Sequence, residues 1–528
     1  LAASDGDADF NIAIGCQAMG GADVSGLNNI AIGTAAADAL TSGAYNIAMG
    51  YNALGAQTDG CDNIAIGCHA LAASVNDGDQ NVAIGKTAMS AGDVSGFTNV
   101  AIGTDALKGI TTGSRNVAIG DCAMGGATVT ACHNVALGTY AADALTSGAC
   151  NIAIGLNALG AATDNCNNIA IGESALAASV NNGDCNIAIG ELALGAADVG
   201  GANNIAMGFA ASQSLTSGAC NIAIGKSTMS AVTTGCNNVA LGLNALSTGT
   251  LVGCENIAIG SSTMDALTSG KHNVALGAGA MGAATDNMCN IAIGINSLAT
   301  SADDADNNVA IGNTAMGGAD VSGADNIAIG TNTMDALTTG SGNIAMGKHS
   351  FGSATIGVCN VAIGFGAMTD VTTGAANKNV GIGYQAFLGA GANTTGDDNV
   401  AIGTTAMDAI TSGGDNVAIG RDAMGAATNN NNNVAIGYAA LQTSVDDGDS
   451  NVAIGRAAMG AGDVSGDSNV AIGNVAGSAI TSGNDNISIG RAAGCTITTQ
   501  SCVINIGFDK NNTTANTTCI GGACVMAA

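Results

Sequence analysis

Cysteine is the first residue type in this chain that could do chemistry. Seventeen are present, and Cys132, Cys150, Cys166, Cys185, Cys220, Cys236 and Cys254 all fall one or two residues before a recurring Asn-Ile/Val-Ala-Ile/Leu/Met-Gly pentad. If successive pentads lie on neighbouring turns of a coil, their α-carbons come within disulfide reach. Cys150 with Cys166 and Cys220 with Cys236 are then candidate cross-turn bridges. The plainer alternative is that they are small side chains filling a turn. Acidic turns come second. Asp77 and Asp79, Asp304 and Asp306, and Asp447 and Asp449 put hard oxygen ligands into turns, which suits calcium, although the full twelve-residue loop with its terminal Glu is missing. Keeping a like-charged chain soluble is the commoner use of such residues. The four histidines, His69, His133, His272 and His349, fall in distant repeats, and no Cys-x-x-Cys pair occurs, so neither a zinc site nor a catalytic constellation is indicated.

The elements that must position these residues come from the pentad itself. It opens at Asn11, returns at Asn29, Asn46, Asn63, Asn81 and Asn99, and closes at Asn486, in about 28 copies spaced 17 or 18 residues apart. A short fixed period of this kind marks a solenoid rather than three or four globular domains. Gly is 81 of 528 residues while Pro is absent, as expected of a backbone that needs nearly every amide in a ladder and a permissive residue at its turns. Helices are excluded by the Gly, Asn, Thr and β-branched residues in every period. The fold expected is all-β: a parallel β-solenoid, or β-roll, of about 29 turns. Stacking at about 4.8 Å per turn would make it on the order of 140 Å long. The continuous array spans 1–507, with irregular turns near 372–398, and 508–528 forms a cap or assembly tail.

Within the pentad the aliphatic residues sit two apart, so Ile12 and Ile14, or Val82 and Ile84, share one strand face, which is read as the interior. The Ala-Leu/Met pair that follows, as at Ala53-Leu54, makes the second wall. Asn11, Asn29, Asn46 and Asn81 would stack into an amide ladder whose loss at one rung costs roughly 1 to 3 kcal/mol. The middle residue, Ala13, Ala31, Ala48, Ala65 or Ala83, would then face outward, and so long a stripe of small apolar residues suggests a surface pressed against a sister chain. On that reading, replacing Ala13 and its equivalents by Glu separates chains without melting them. The opposite orientation, with Ala filling a tight two-walled roll, remains the alternative.

Forty acidic against 11 basic residues give a net charge of −29, which repels nucleic acid and anionic lipid. No run of apolar residues is long enough to span a membrane, and no signal peptide is seen. The opening Leu1-Ala2-Ala3-Ser4 echoes Leu71-Ala72-Ala73-Ser74, so the array starts in phase, as in a processed product or a piece of a longer chain.

The run Asn81-Val82-Ala83-Ile84-Gly85-x-x-Ala88, with Gly-bearing returns, resembles the head repeat of trimeric autotransporter adhesins, and similar arrays occur in phage and virus tail fibres. The resemblance covers about Asn11 to Gly507. It implies a left-handed parallel roll in which three chains pack side by side. The turn here is longer than the usual head repeat, and neither a heptad stalk nor a carboxy-terminal membrane barrel is evident. The function expected is a non-enzymatic structural fibre at an extracellular, cell or virion surface, self-associating as a homotrimer or head-to-tail filament, with no cofactor beyond candidate calcium. The alternatives are an adhesin or tail-fibre segment recognising a glycan or matrix, and an ice-binding repeat protein.

Overall fold

The computed structural model describes residues 10–521 apart from 22, 76–77, 127, 181–182, 302, 372–375, 390–393 and 510, together with the backbone of 523–526. Asp77 therefore lies outside the described residues, as does part of the irregular stretch near 372–398. The chain is an all-β parallel β-solenoid, and no helix occurs among the described residues. It divides into two compact units, Leu1–Ser262 and Thr263–Ala528.

In the first unit the described strands run from β1 (Ile12–Ile14) to β15 (Ile257–Ile259), one three-residue strand per pentad. Each pairs with the next in parallel and in register, as Ile12 with Ile30 and Ala13 with Ala31. The second unit repeats the arrangement from β16 (Val274–Leu276) to β29 (Ile504–Ile506). The longer spacings around residue 380 leave pairing undisturbed: Val380 aligns with Val361 on one side and Val400 on the other. Beyond Gly507 the pattern changes. Strand β30 (Thr517–Ile520) extends the parallel sheet, and β31 (Ala523–Met526) folds back antiparallel to it.

A three-residue strand can be joined to the next at this spacing only by sharp turns, and the backbone supplies them with left-handed residues. The pentad Gly is at φ near +134° in Gly15, and a Cβ there would lie 2.5 Å from the Gly33 carbonyl oxygen of the next turn, so no other residue fits. In one turn Asn52, Leu54 and Asp62 all take φ between 54° and 58° although none is Gly. Such a conformation costs roughly 1 to 2 kcal/mol per residue. It is offset because it aims each amide along the stacking direction: Leu54 N–H donates to Ala70 O (3.0 Å) and Asp62 N–H to Ala44 O (3.0 Å).

The pentad asparagines are buried and bonded both ways along the stack. The Asn46 backbone N–H donates to Asn29 Oδ1 (2.9 Å), and its side-chain amide donates back to the same oxygen (3.1 Å) and forward to Gly60 O (2.7 Å). Asn46 Oδ1 then accepts from the Asn63 N–H (2.9 Å). The same pattern holds in the second unit, where Asn343 donates to Asn326 Oδ1 and Gly357 O. Both polar atoms of the Asn46 side chain are thereby satisfied, which is the condition for keeping an amide inside; Asn168 Nδ2 is the exception, buried without a partner.

The strand orientation is opposite to the one preferred from sequence. Ala31, Ala48, Ala65 and Ala83 are wholly buried within a single chain, and Ala13, on the first described rung, is half-buried. They are therefore not a chain-to-chain contact. Ile12 and Ile14 are 48% and 59% exposed, and Val82 and Ile84 are half-buried, so the aliphatic pairs line the outside of the coil and not its core. The reason is volume. Across the narrow interior from each strand stand Leu or Met of the second wall and an aliphatic from the return segment, as Leu54, Met89, Leu40 and Ile110, all fully buried. At interior packing density a methyl group fills the space between them in nearly every rung, with Gly381, Ser488 and Asn505 the exceptions.

Candidate functional site

The outward Ile/Val columns form a flat apolar face in each unit. Its side chains remain substantially open to solvent: Ile291 38%, Ile293 37%, Ile344 36% and Met346 40%. This is the surface feature that the preferred reading of the pentad missed. The signal was present, because the inward position is Ala in nearly every copy while the outward ones exchange Ile, Val, Leu and Met.

Two further columns flank the face. The residue after the pentad Gly is exposed, and in the second unit this column includes Lys348, Phe365, Tyr384, Arg421, Tyr438, Arg456, Arg491 and Phe508. Their side chains stack along the coil. Phe365 and Tyr384 rings lie parallel with centroids 5.5 Å apart, Arg421 sits 4.5 Å over Tyr438, and Arg491 sits 4.6 Å over Phe508. Arg456 approaches the same Tyr438 ring at 6.0 Å. Such ring and cation contacts hold the long side chains in one row.

On the opposite flank, the two residues before each Asn form paired columns. The nearer one is left-handed and exposed, as at Cys150, Cys220 and Asp415. Where the farther one is a short acceptor, it turns its side chain towards the preceding turn and accepts a backbone amide there. Cys166 Sγ accepts from Ala149 N–H (3.4 Å), Asp79 Oδ1 from Cys61 N–H (2.7 Å), Ser114 Oγ from Phe97 N–H (3.1 Å) and Asn431 Oδ1 from Gly414 N–H (2.9 Å). Short acceptors are interchangeable there, which accounts for half of the cysteines near the pentads.

This arrangement corrects the disulfide expectation. Cys150, Cys166, Cys220 and Cys236 are free thiols. Cys150 and Cys220 occupy the nearer column while Cys166 and Cys236 occupy the farther one, so each proposed pair points in different directions. The Cys236 thiol is pushed up to about 11, first by its contact with Cys254 and then by burial, and is correspondingly unreactive. Cys519, in β30, is disulfide-bonded.

The acidic turns are tied to backbone. Asp306 Oδ1 accepts from Met288 N–H (2.7 Å) and Asp449 Oδ1 from Asn431 N–H (2.7 Å), while Asp304 and Asp447 donate their own N–H to Asp286 and Asn429 side chains. With Asp79 they act as rung-to-rung staples. No group of three or more His, Cys, Asp or Glu side chains converges for a metal among the described residues. His69 meets Asn52 and the Tyr51 ring, His133 meets Arg115, and His349 meets the Phe365 ring. No helix among the described residues is long and apolar enough to cross a membrane.

A set of half-buried carboxylates also emerges in the Asp-Ala-Leu/Ile-Thr-Ser/Thr-Gly returns. Burial raises the pKa of Asp143, Asp335 and Asp408, against which the amides of Gly126 and Gly125 pull Asp143 down and that of Gly318 pulls Asp335 down. Their recurrence before Ala-Leu-Thr was the available sequence signal. Asp105 goes the other way, lowered chiefly by the Thr87 hydroxyl, which donates to it at 2.6 Å. The class of protein defined by this geometry is a parallel β-solenoid repeat protein. No family model matches the chain, and no match is found among curated proteins.

Proposed function

We propose that the chain is a non-enzymatic structural fibre subunit, working at an extracellular, cell or virion surface by self-association. The observation that carries the reading is the uninterrupted rung-to-rung ladder within each unit, in which the same Asn bonds and strand pairings recur. Stability then grows by nearest-neighbour stacking, which suits a load-bearing or spacing part. Three chains side by side is the number implied by the adhesin-head resemblance, and the Ile/Val face, not the alanine stripe, is the surface available for it. Mass measurement in solution combined with electron microscopy tests the proposal. Fibrous particles of several chains support it, and globular particles of single-chain mass overturn it.

A second reading, recognition of a glycan, is favoured by the exposed Phe365 and Tyr384 rings, at 45% and 50% exposure. Binding on a glycan array that is lost in a Phe365→Ala, Tyr384→Ala chain would support it. An ice-binding role has less to rest on, because the outward strand columns carry Ile, Val, Leu and Met rather than ranks of Thr.

A further inference from the structure

We infer that the apolar face of the second unit is covered by a second copy of this chain running in the same direction, rung against equal rung. The charged flanks fix that register. The inference rests on the structural reading above and supplies its interface and geometry.

The size of the face argues first. From β16 to β29 fourteen strands present outward Ile, Val, Leu or Met, a strip of about 65 Å by about 10 Å. That is roughly 650 Å² on each copy and about 1,300 Å² on pairing, enough for a specific interface and more than a monomer usually leaves exposed. A flat strip with a constant rise also fits best against a strip with the same rise, which only another such coil provides.

The flanks then choose the occupant and its direction. In the second unit, the column after the pentad Gly carries Lys348, Arg421, Arg456 and Arg491 and no acidic residue. The opposite flank carries Asp306, Asp325, Asp397, Asp398, Asp415, Asp449, Asp467 and Asp485 against Lys271 and Lys378. One edge of the face is thus cationic and the other acidic. Moreover, three of these four cations share a rung with an acid, Arg421 with Asp415, Arg456 with Asp449 and Arg491 with Asp485, while the Lys348 rung carries Ser341 and Gly342 instead. Copies related by an axis parallel to the stacking direction, whether a pair or a ring of three, bring the cationic edge of one against the acidic edge of the next at the same level. Inverting one copy would set cationic edge against cationic edge.

The first unit, taken by itself, obeys the same rule where both flanks are charged, with Asp79 and Lys86 on one rung and Arg115 and Asp121 on another; the rung with Asp184 and Glu191 is the exception. Within one chain the exposed Arg421 also pairs with its half-buried neighbour Asp422 at 3.5 Å. With its guanidinium side open to solvent, that ion pair is readily exchanged. Isolated surface pairs contribute little to affinity, so the apolar strip supplies most of the attraction and the charges supply direction and register.

Full-length chains test this. An Arg421→Glu, Arg456→Glu, Arg491→Glu chain should self-associate about tenfold more weakly or worse at low salt, because every Arg-to-Asp attraction across the interface becomes a repulsion. An Asp415→Arg, Asp449→Arg, Asp485→Arg chain should fail likewise, and mixing the two should restore association. That mixing result separates lost recognition from misfolding. Register is read with Arg421→Lys in an equal mixture of isotopically heavy and light chains treated with a carbodiimide. The inference expects heavy-to-light crosslinks joining position 421 to Asp415. Heavy-to-light crosslinks joining distant rungs, or failure of the mixture to associate, overturn it. If those tests fail while wild type still forms fibrous multimers, only the inferred interface falls; if wild type is a single-chain globule, the structural reading falls as well.

Discussion

The inside and the outside of the same three-residue strand obey different rules. Inward, Ala48 is sealed between neighbouring alanines and the Leu and Met of the second wall; outward, two residues of the same strand, Ile47 and Met49, are only partly covered. Inside, the narrow volume holds Ala in nearly every rung. Outside, any aliphatic serves, and the identity of the residue is set by what covers the face. The lesson concerns hydrophobicity as a guide: the larger aliphatic is not necessarily the buried one when the enclosed space is narrower than its side chain.

The comparison can be broken most severely from inside. Replacing Ala83 by Glu buries a carboxylate with no partner, and we expect a loss on the order of 3 kcal/mol or more, seen as a lower midpoint in chemical denaturation. This reverses the outcome expected if the alanines were a chain contact, where Ala→Glu would leave the coil intact. Next comes the ladder. Asn221→Ala removes donors to Asn204 Oδ1 and Gly235 O and the acceptor for the Asn238 N–H, and should cost roughly 1 to 3 kcal/mol in the same assay. Outward changes sit lower still. Ile344→Thr should shift unfolding of the isolated chain by less than about 1 kcal/mol while measurably weakening self-association in sedimentation.

The smallest effect is electrostatic. Burial first, and the nearby Asp422 charge, hold Asp408 above the usual carboxylate range in the fold. Its ionised form therefore opposes folding: its favourable contribution exists only below the unfolded pKa and is lost as pH rises through the raised one. Asp408→Asn should thus raise the melting temperature near about pH 7 and have no such benefit near about pH 3, with a gain within about 0.5 kcal/mol after solvent screening.

How far these rules could be read in advance differs from one to the next. The strand positions, their parallel register and the amide column follow from a fixed spacing and from Asn recurring at one place, since a repeated polar residue beside aliphatics must be satisfied by its own copies. Which face was interior did not follow. Alternation divides Ile12 and Ile14 from Ala13 but leaves the choice of side to volume, and the volume depends on how closely Leu54 and Leu40 approach across the coil. The left-handed backbone at Leu54 and Asp62 was also hidden, because non-Gly residues do not advertise it. The cysteine column was partly visible, since Cys166 alternates in position with Asp79, Ser114 and Asn431, all short acceptors. The charge matching of Arg421 with Asp415 was written in the sequence throughout, but it acquires meaning only once the strand between them is known to face outward.

The narrow core, the apolar face and the covering copy all follow from which way the pentad side chains point. A high-resolution electron cryomicroscopy map of the assembled protein measures this rung by rung. We predict alanine Cβ density directed into each coil against Leu and Met, with Ile and Val density projecting from its exterior. Ile and Val density packed inside the coil, with alanine methyls on its outer surface, would contradict the account.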